Sequence, residues 1–468
     1  MIELYYRLNS GYELRGWELL PFALCDSRNG DVNFIRKNLF LLLYHCDGLH
    51  DISKEKLLKD ERDYLDSLLN QGVISEVLRQ EGISEGQKYK KYDSRFIGKV
   101  HWSMTGKCNY KCRHCLISAP HAKFGELSHD ECIKIIHELA SCGIRQVSVT
   151  GGEPLARKDF FELVDEMSRN GIIMTDLFSN GSLVTDELLD QLEQHRFQTR
   201  IHISFDGVGW HDWLRGIPGA EKTALDAFAL CRERGFTTMA GMCIHRNNMH
   251  TFRETIKLLG KLGVSHVKVG GINPIGEWLE MPDTLTLSGE ELYDTFYEYM
   301  CQFFEEGMPV ALSLSNFFAC EKGSVEYRIP FCKYEDGCDC ADKSVCAYAR
   351  NVLFISPEGF VLPCMPLADT NLGEEFPSIL EIPLKEILTD SYYMKMIDIR
   401  MKDYLEHNPE CKKCKYVNQC GAGCRARALS AGGTDYLGID KDTCFFFRNG
   451  YVEKIKAAAD EAINIINV

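Results

Sequence analysis

Residues 101–115 read His-Trp-Ser-Met-Thr-Gly-Lys-Cys-Asn-Tyr-Lys-Cys-Arg-His-Cys. The first five residues predict a strand over 101–105, and Cys108, Cys112 and Cys115 follow it on one tight loop in the spacing C-x3-C-x2-C. Fully ligated [4Fe–4S] cubanes take four cysteine thiolates, so a local set of three points to a cluster with one iron left open for an external ligand. The competing reading of the same residues is a zinc site completed by His114 or by a distant ligand.

Outward from this loop, strands and helices alternate. Strands are predicted over 101–105, 145–150, 172–178, 199–204, 236–244 and 266–270, with amphipathic helical stretches such as 130–140, 160–169 and 223–234 between them. Six βα units in one stretch predict an α/β fold with a parallel sheet, here a partial (β/α)6 TIM-like barrel. Such sheets carry their working residues in loops at the carboxyl ends of the strands. Those loops hold the cysteine triplet, Gly151-Gly152-Glu153-Pro154, Ser179-Asn180-Gly181, Phe205-Asp206-Gly207, His245-Arg246-Asn247 and Gly271-Ile272-Asn273-Pro274.

The triplet, with Gly151 to Pro154 one βα unit later, resembles the radical S-adenosylmethionine (SAM) superfamily over about residues 100–274. A hydrophobic or aromatic residue usually precedes the last cysteine in that family, and His114 stands there instead. The resemblance implies that SAM binds the open iron and, on reduction, yields a 5′-deoxyadenosyl radical. It further implies that Gly151, Gly152, Glu153 and Pro154 meet the methionyl ammonium, with Glu153 as an acceptor. Ser179 and Asn180 would be ribose or carboxylate contacts, Ser204 part of another polar wall, and Arg215 a partner for the methionyl carboxylate. Ser179, Asn180 and Ser204 read equally well as helix caps. Among the carboxylates near strand ends, Asp206, Glu277 and Glu280, Asp206 is the leading catalytic candidate, though it also fits a turn brace.

The C-terminal third is dense in cysteine. Cys346 and Cys364 flank Gly359, and Cys411-x2-Cys414-x5-Cys420-x3-Cys424 is followed by Cys444. This spacing resembles the SPASM domain of radical SAM enzymes that modify peptides and proteins. The resemblance implies two auxiliary [4Fe–4S] clusters, and therefore three clusters in all. One would be held by Cys346, Cys364 and Cys424, the other by Cys411, Cys414, Cys420 and Cys444. Cys340 matches a fourth ligand for the first, with Cys338 and Cys332 as competitors; otherwise that cluster stays open and can take a substrate thiolate. Zinc knuckles are the alternative for Cys411 to Cys424. Cys25, Cys46, Cys132, Cys142, Cys231, Cys243, Cys301 and Cys320 read as small buried hydrophobes.

Residues 1–90 carry short strands over 2–7, 12–20 and 32–36, then helices over 38–44 and 60–70, and residues 80–94 read as a linker. This winged-helix-like α+β unit resembles the recognition element that binds leader peptides in systems making ribosomally synthesised, modified peptides. Strand addition at an edge near residues 31–36, beside the second helix, is the implied binding mode. The predicted organisation is residues 1–90 for recognition, 95–330 for the barrel and 331–468 for the SPASM domain.

A formal charge of −15 over 468 residues argues against an extended nucleic-acid surface, and no apolar run is long enough to span a bilayer. No secretory signal is visible, and 21 cysteines in such a chain suit metal ligation in a reducing cytoplasm. The expected activity is a peptide maturase that installs a thioether on a precursor peptide. Carbon–carbon cross-linking, epimerisation, or protein oxidation of the anaerobic sulfatase-maturing type are the alternatives, and a zinc-stabilised scaffold is the non-enzyme rival. A low-potential donor such as flavodoxin or ferredoxin is the expected second partner.

Overall fold

The computed structural model describes residues 3–78, 80–195, 197–335, 337–368, 370, 373–430 and 435–466. Its largest element is an 11-stranded sheet. The six strands expected from the sequence run side by side and parallel within it: β8 (Lys99–Ser103), β9 (Gln146–Thr150), β10 (Ile173–Ser179), β11 (Arg200–Ser204), β12 (Thr238–Ile244) and β13 (His266–Gly271). Two further parallel strands flank them, β14 (Ala311–Leu314) beside β13 and β17 (Val352–Ile355) beside β8. β15 (Phe318–Cys320), β16 (Tyr327–Arg328) and β18 (Val361–Leu362) extend the ends, and β16 and β18 remain edges, so the barrel is partial. The strand from 352 lies within the cysteine-rich third, which is therefore hydrogen-bonded into the barrel sheet.

Local chemistry explains the crossover helices. In α4 (Phe160–Arg169), Phe160, Leu163, Val164 and Met167 are buried at the i, i+3, i+4, i+7 positions of one helical face. Helix α3 (His129–Ser141) starts at a capping box, where Ser128 Oγ accepts from Glu131 N and the Glu131 carboxylate accepts from Ser128 N. The strands alternate: Ile201 and Ile203 of β11 are buried under the helices, while His202 and Ser204 point to the opposite, inner face. Six of the eight cysteines expected as core residues are buried; Cys243 and Cys301 are partly exposed.

The N-terminal region forms two small sheets. β1 (Tyr5–Leu8) lies between β5 (Asp47–Asp51) and β6 (Ile74–Val77). β2 (Tyr12–Gly16), β3 (Ala23–Asp26), β4 (Val32–Phe34) and β7 (Lys90–Lys91) form the second sheet, in the order β4-β3-β2-β7. Helices α1 (Lys37–His45) and α2 (Lys59–Asn70) complete the unit. The expected linker over 80–94 is instead folded onto it. β7 pairs with β2, and the Arg15 guanidinium donates to the carbonyls of Gly86 and Lys88 at 2.6 and 2.9 Å. Its polar composition hid these backbone acceptors.

β4 is an edge strand, as expected, but α2 does not lie beside it. Leu65 and Leu68 of α2 pack with Tyr6, Leu8 and Ile74, whereas Val32 and Phe34 gather around Trp17, with Tyr92 and Phe96. Trp17 also joins this unit to the barrel, its Nε1 donating to Cys142 O at 2.9 Å. Arg145 bonds to Glu13 Oε2 at 2.7 Å across the same seam. Among the described residues, no helix is long and apolar enough to cross a membrane.

Candidate active site and auxiliary clusters

The cysteine loop leaves the end of β8 and is held from two sides. Gly152 N donates to Thr105 O at 2.7 Å and Glu153 N to Lys107 O at 3.0 Å, which stacks the loop after β9 directly on it. A side chain at Gly152 has no room, since a Cβ there would fall 2.0 Å from Lys107 O. From the other side, Lys111 N and Arg113 N donate to the carbonyls of Arg215 and Leu214. The sulfurs themselves accept polar contacts: Cys108 Sγ from Tyr110 N at 3.4 Å, Cys115 Sγ from Ala119 N at 3.3 Å, and Cys112 Sγ from Arg215 at 3.7 Å. Such donors stabilise negative charge on a ligated sulfur.

All three cysteines open into one cavity of about 440 Å³, also lined by Gly151, Gly152, Ser179, Asn180, Ser204 and Arg215. Eight predicted site residues thus converge with Cys108 on a single space. Burial drives the Cys108 thiol up to about 12, so ligand binding at this site must displace protons. His114 lines the same cavity, and burial pushes it down to about 4. It is therefore a neutral ring, the aromatic residue that the motif ordinarily carries in this place.

Two of the predicted site residues are buried. Glu153 is fully buried behind the cavity wall. Its carboxylate already accepts from Ser179 Oγ at 3.1 Å, Asn180 N at 2.8 Å and Leu155 N at 3.2 Å, clamping two strand-end loops together. Burial nevertheless lifts its pKa to about 7. Pro154, which follows it, is likewise buried and outside the cavity lining. Asp206 is also fully buried. It binds Arg215 Nε at 2.6 Å, and its other oxygen accepts from Cys243 N at 2.9 Å. The Arg215 guanidinium and the neighbouring His211 hold it ionised, well below the usual carboxylate range. Asp206 therefore positions Arg215, and Arg215 faces the cavity.

Neither Ser179 nor Asn180 caps a helix. Ser179 Oγ accepts from Gly181 N at 3.0 Å and Asn180 Oδ1 from Ser182 N at 2.9 Å, while Thr185 caps the helix that follows. Glu277 lies beside the triplet, its amide donating to Cys115 O at 3.0 Å, and Glu280 is exposed.

Several lining residues escaped the sequence reading: Thr150, Phe178, His202, His266 and Lys268, with Met365 from the C-terminal region. The signal was present as strand alternation. His266 and Lys268 alternate with the buried Val267 and Val269, which makes them the inner face of β13.

In the C-terminal third, Cys411, Cys414, Cys420 and Cys444 surround one small pocket with Tyr404 and Asp440. Cys346 and Cys424 are the thiols whose charge bears on Cys364, and burial drives the Cys364 thiol strongly up. Cys340, the expected fourth ligand, is engaged elsewhere in this structure. Its thiol donates to Asn418 Oδ1 at 3.2 Å, and its neighbouring thiol is Cys338. Between the two sets lies Lys333, whose Nζ donates to the carbonyls of Val345, Gly421 and Gly423. Its charge acts on Cys346, Cys420 and Cys424, which offsets the negative charge of thiolate-ligated iron.

Residues 102–259 match the family model of the radical SAM superfamily, and residues 346–415 match that of SPASM, an iron–sulfur cluster-binding domain. The two segments are similar to a radical SAM domain and to a SPASM domain. Those domains imply SAM and [4Fe–4S] clusters as cofactors. Among curated proteins, an AdoMet-dependent heme synthase of Methanosarcina barkeri is 29% identical over 348 residues, 72% of this chain and 93% of that protein. A PqqA peptide cyclase of Granulibacter bethesdensis is 27% identical, over 70% of this chain and 83% of its own length. Among solved structures, Streptococcus suis SuiB bound to precursor peptide SuiA gives a TM-score of 0.62 at 13% identity, covering 94% of this chain and 99% of SuiB. Native anSMEcpe with bound AdoMet and Cp18Cys peptide gives 0.58 at 18% identity, covering 80% of this chain and 99% of its own. At these identities the likeness is one of fold. The 6% of this chain outside the SuiB match is fewer residues than the N-terminal unit contains, so that likeness reaches into residues 1–90.

Proposed function

We propose that this protein is a peptide maturase, built from a leader-recognition unit at residues 1–90, a radical SAM barrel at 95–330 and a SPASM domain at 331–468. The carrying observation is the cavity that joins Cys108, Cys112 and Cys115 to an open polar lumen lined by His202, His266 and Lys268. When bound, the cluster and SAM supply a 5′-deoxyadenosyl radical able to take hydrogen from a substrate carbon. The protein's own work is placement. Gly151 and Gly152 form the floor beside the triplet, Asn180 and Ser204 give polar contacts, and Arg215, aimed by Asp206, offers a guanidinium to the methionyl carboxylate. The precursor's core peptide occupies the lumen, and its leader docks on the N-terminal unit. The bound peptide in the SuiB structure and the peptide substrate in the name of the PqqA cyclase support this reading.

Three [4Fe–4S] clusters account for the ligand sets. Cys411, Cys414, Cys420 and Cys444 form a complete set of four, whereas Cys346, Cys364 and Cys424 gather without Cys340. A substrate cysteine is the thiolate that completes this second set, which favours a thioether as the product. Reducing equivalents come from a low-potential donor such as flavodoxin or ferredoxin, in the cytoplasm.

The test uses cluster-loaded protein, SAM, a reductant and a candidate precursor peptide of leader and core. Loss of two hydrogens per cross-link, together with loss of one alkylatable cysteine, is the expected outcome. A peptide that loses two hydrogens yet keeps every cysteine alkylatable contradicts the thioether. A peptide left unchanged while a tetrapyrrole is consumed contradicts peptide maturation altogether.

A further inference from the structure

Away from the clusters, the N-terminal unit brings two imidazoles and a carboxylate together. His45 is the last residue of α1, His50 lies on β5, and Glu55 follows the short helical turn after it. The imidazole rings stack with centroids 4.1 Å apart and planes 19° from parallel. His50 Nε2 lies 2.8 Å and His45 Nδ1 3.8 Å from the same Glu55 Oε1. One donor atom from each of the three residues falls within 4.8 Å of the other two. Donors on a single tetrahedral zinc, with bonds near 2.0–2.1 Å, stand about 3.3 Å apart, so the two measured separations straddle the required one.

Three further features favour a cation there. His45 stands in the last turn of α1, where the helix dipole favours positive charge. The loop is pre-formed: Asp47 Oδ1 accepts from Leu49 N and His50 N, and Asp51 Oδ1 accepts from Leu4 N and Ser53 N. These bonds fix the backbone that carries His50 before any ion arrives. The donor set of imidazole and carboxylate suits zinc and its neighbours better than calcium or magnesium, which prefer all-oxygen sites. The only other grouping of this kind among the described residues, His114, Asp206 and Cys243, is already filled by the Arg215 guanidinium bound to Asp206.

We propose that His45, His50 and Glu55 bind one divalent transition-metal ion, zinc by preference, with solvent completing its coordination. The ion ties the end of α1 to β5, an outer strand of the three-stranded sheet. Unlike the cysteine sets, this site needs no reducing conditions and takes no part in the radical chemistry.

The test is elemental analysis of cluster-loaded protein, equilibrated with zinc near neutral pH and desalted, for wild type, His45→Ala/His50→Ala and Glu55→Gln. The three side chains are about a third exposed, so the substitutions leave the core untouched, and unchanged iron content verifies this. Wild type should retain one zinc beyond the double variant, with affinity at least tenfold tighter, and Glu55→Gln should fall between them. Equal zinc in wild type and double variant, or none in wild type, overturns the proposal.

Discussion

Asp206 and Arg215 form an ion pair in which Asp206 is fully buried, and the partners come from a strand end and a short helix nine residues later. Removing one partner leaves an uncompensated buried charge, so Asp206→Asn should lower stability by about 3–5 kcal/mol in urea denaturation. Adding Arg215→Met should restore part of that loss, which a double-mutant cycle measures. Glu153 gives a pH signature. Its folded pKa near 7 lies above the ordinary 4.5, so the folded state holds its proton more tightly and stability falls as pH rises between those values. The slope is at most about 1.4 kcal/mol per pH unit. Glu153→Gln keeps an acceptor for Ser179 and Asn180 and should abolish this slope, so the variant gains on wild type between about pH 5 and 7. Denaturation midpoints of both proteins across that range check it. At this scale spacing alone marks the cysteine sets, whereas the burial of Asp206 and Glu153 and the bond of Cys340 to Asn418 depend on loops brought together only by the fold.

The elements were more legible than the contacts between them. All six central strands lie within two residues of the predicted ones at either end, because apolar alternation and turn residues mark both. β14 and β17 were missed, since their short runs sit in segments dominated by helix and cysteine patterns. The polar inner face of the strands carries its own prediction. Lys268 lines the cavity in the same row as Ser204, two strands away, and has no hydrogen-bond or ion-pair partner among the described residues. Lys268→Ala should raise the KM for peptide on the order of tenfold and leave SAM affinity unchanged, a split that separates substrate from cofactor contact. The seam between the N-terminal unit and the barrel rests on Trp17, which is 1% exposed and packs on Tyr92 and Phe96. Trp17→Ala should cost about 3–5 kcal/mol and open residues 80–94 to limited proteolysis, with iron content unchanged.

On the scale of the whole molecule, the radical SAM cavity and the cysteine-rich third share one sheet. β17 pairs with β8, and Met365, next to Cys364, lines the cavity that holds the triplet. That continuity brings Met365, the neighbour of Cys364, to the wall of the lumen, an arrangement that suits the proposed peptide maturation. The central claim is that three cysteine sets hold three clusters and that the triplet alone cleaves SAM. The most direct measurement is iron and labile sulfide per chain after anaerobic loading, paired with 5′-deoxyadenosine formation, for wild type and Cys108→Ala/Cys112→Ala/Cys115→Ala. About twelve irons should fall to about eight in the variant, and SAM cleavage should vanish. Stoichiometric zinc with little iron, or SAM cleavage that survives loss of the triplet, would contradict the account.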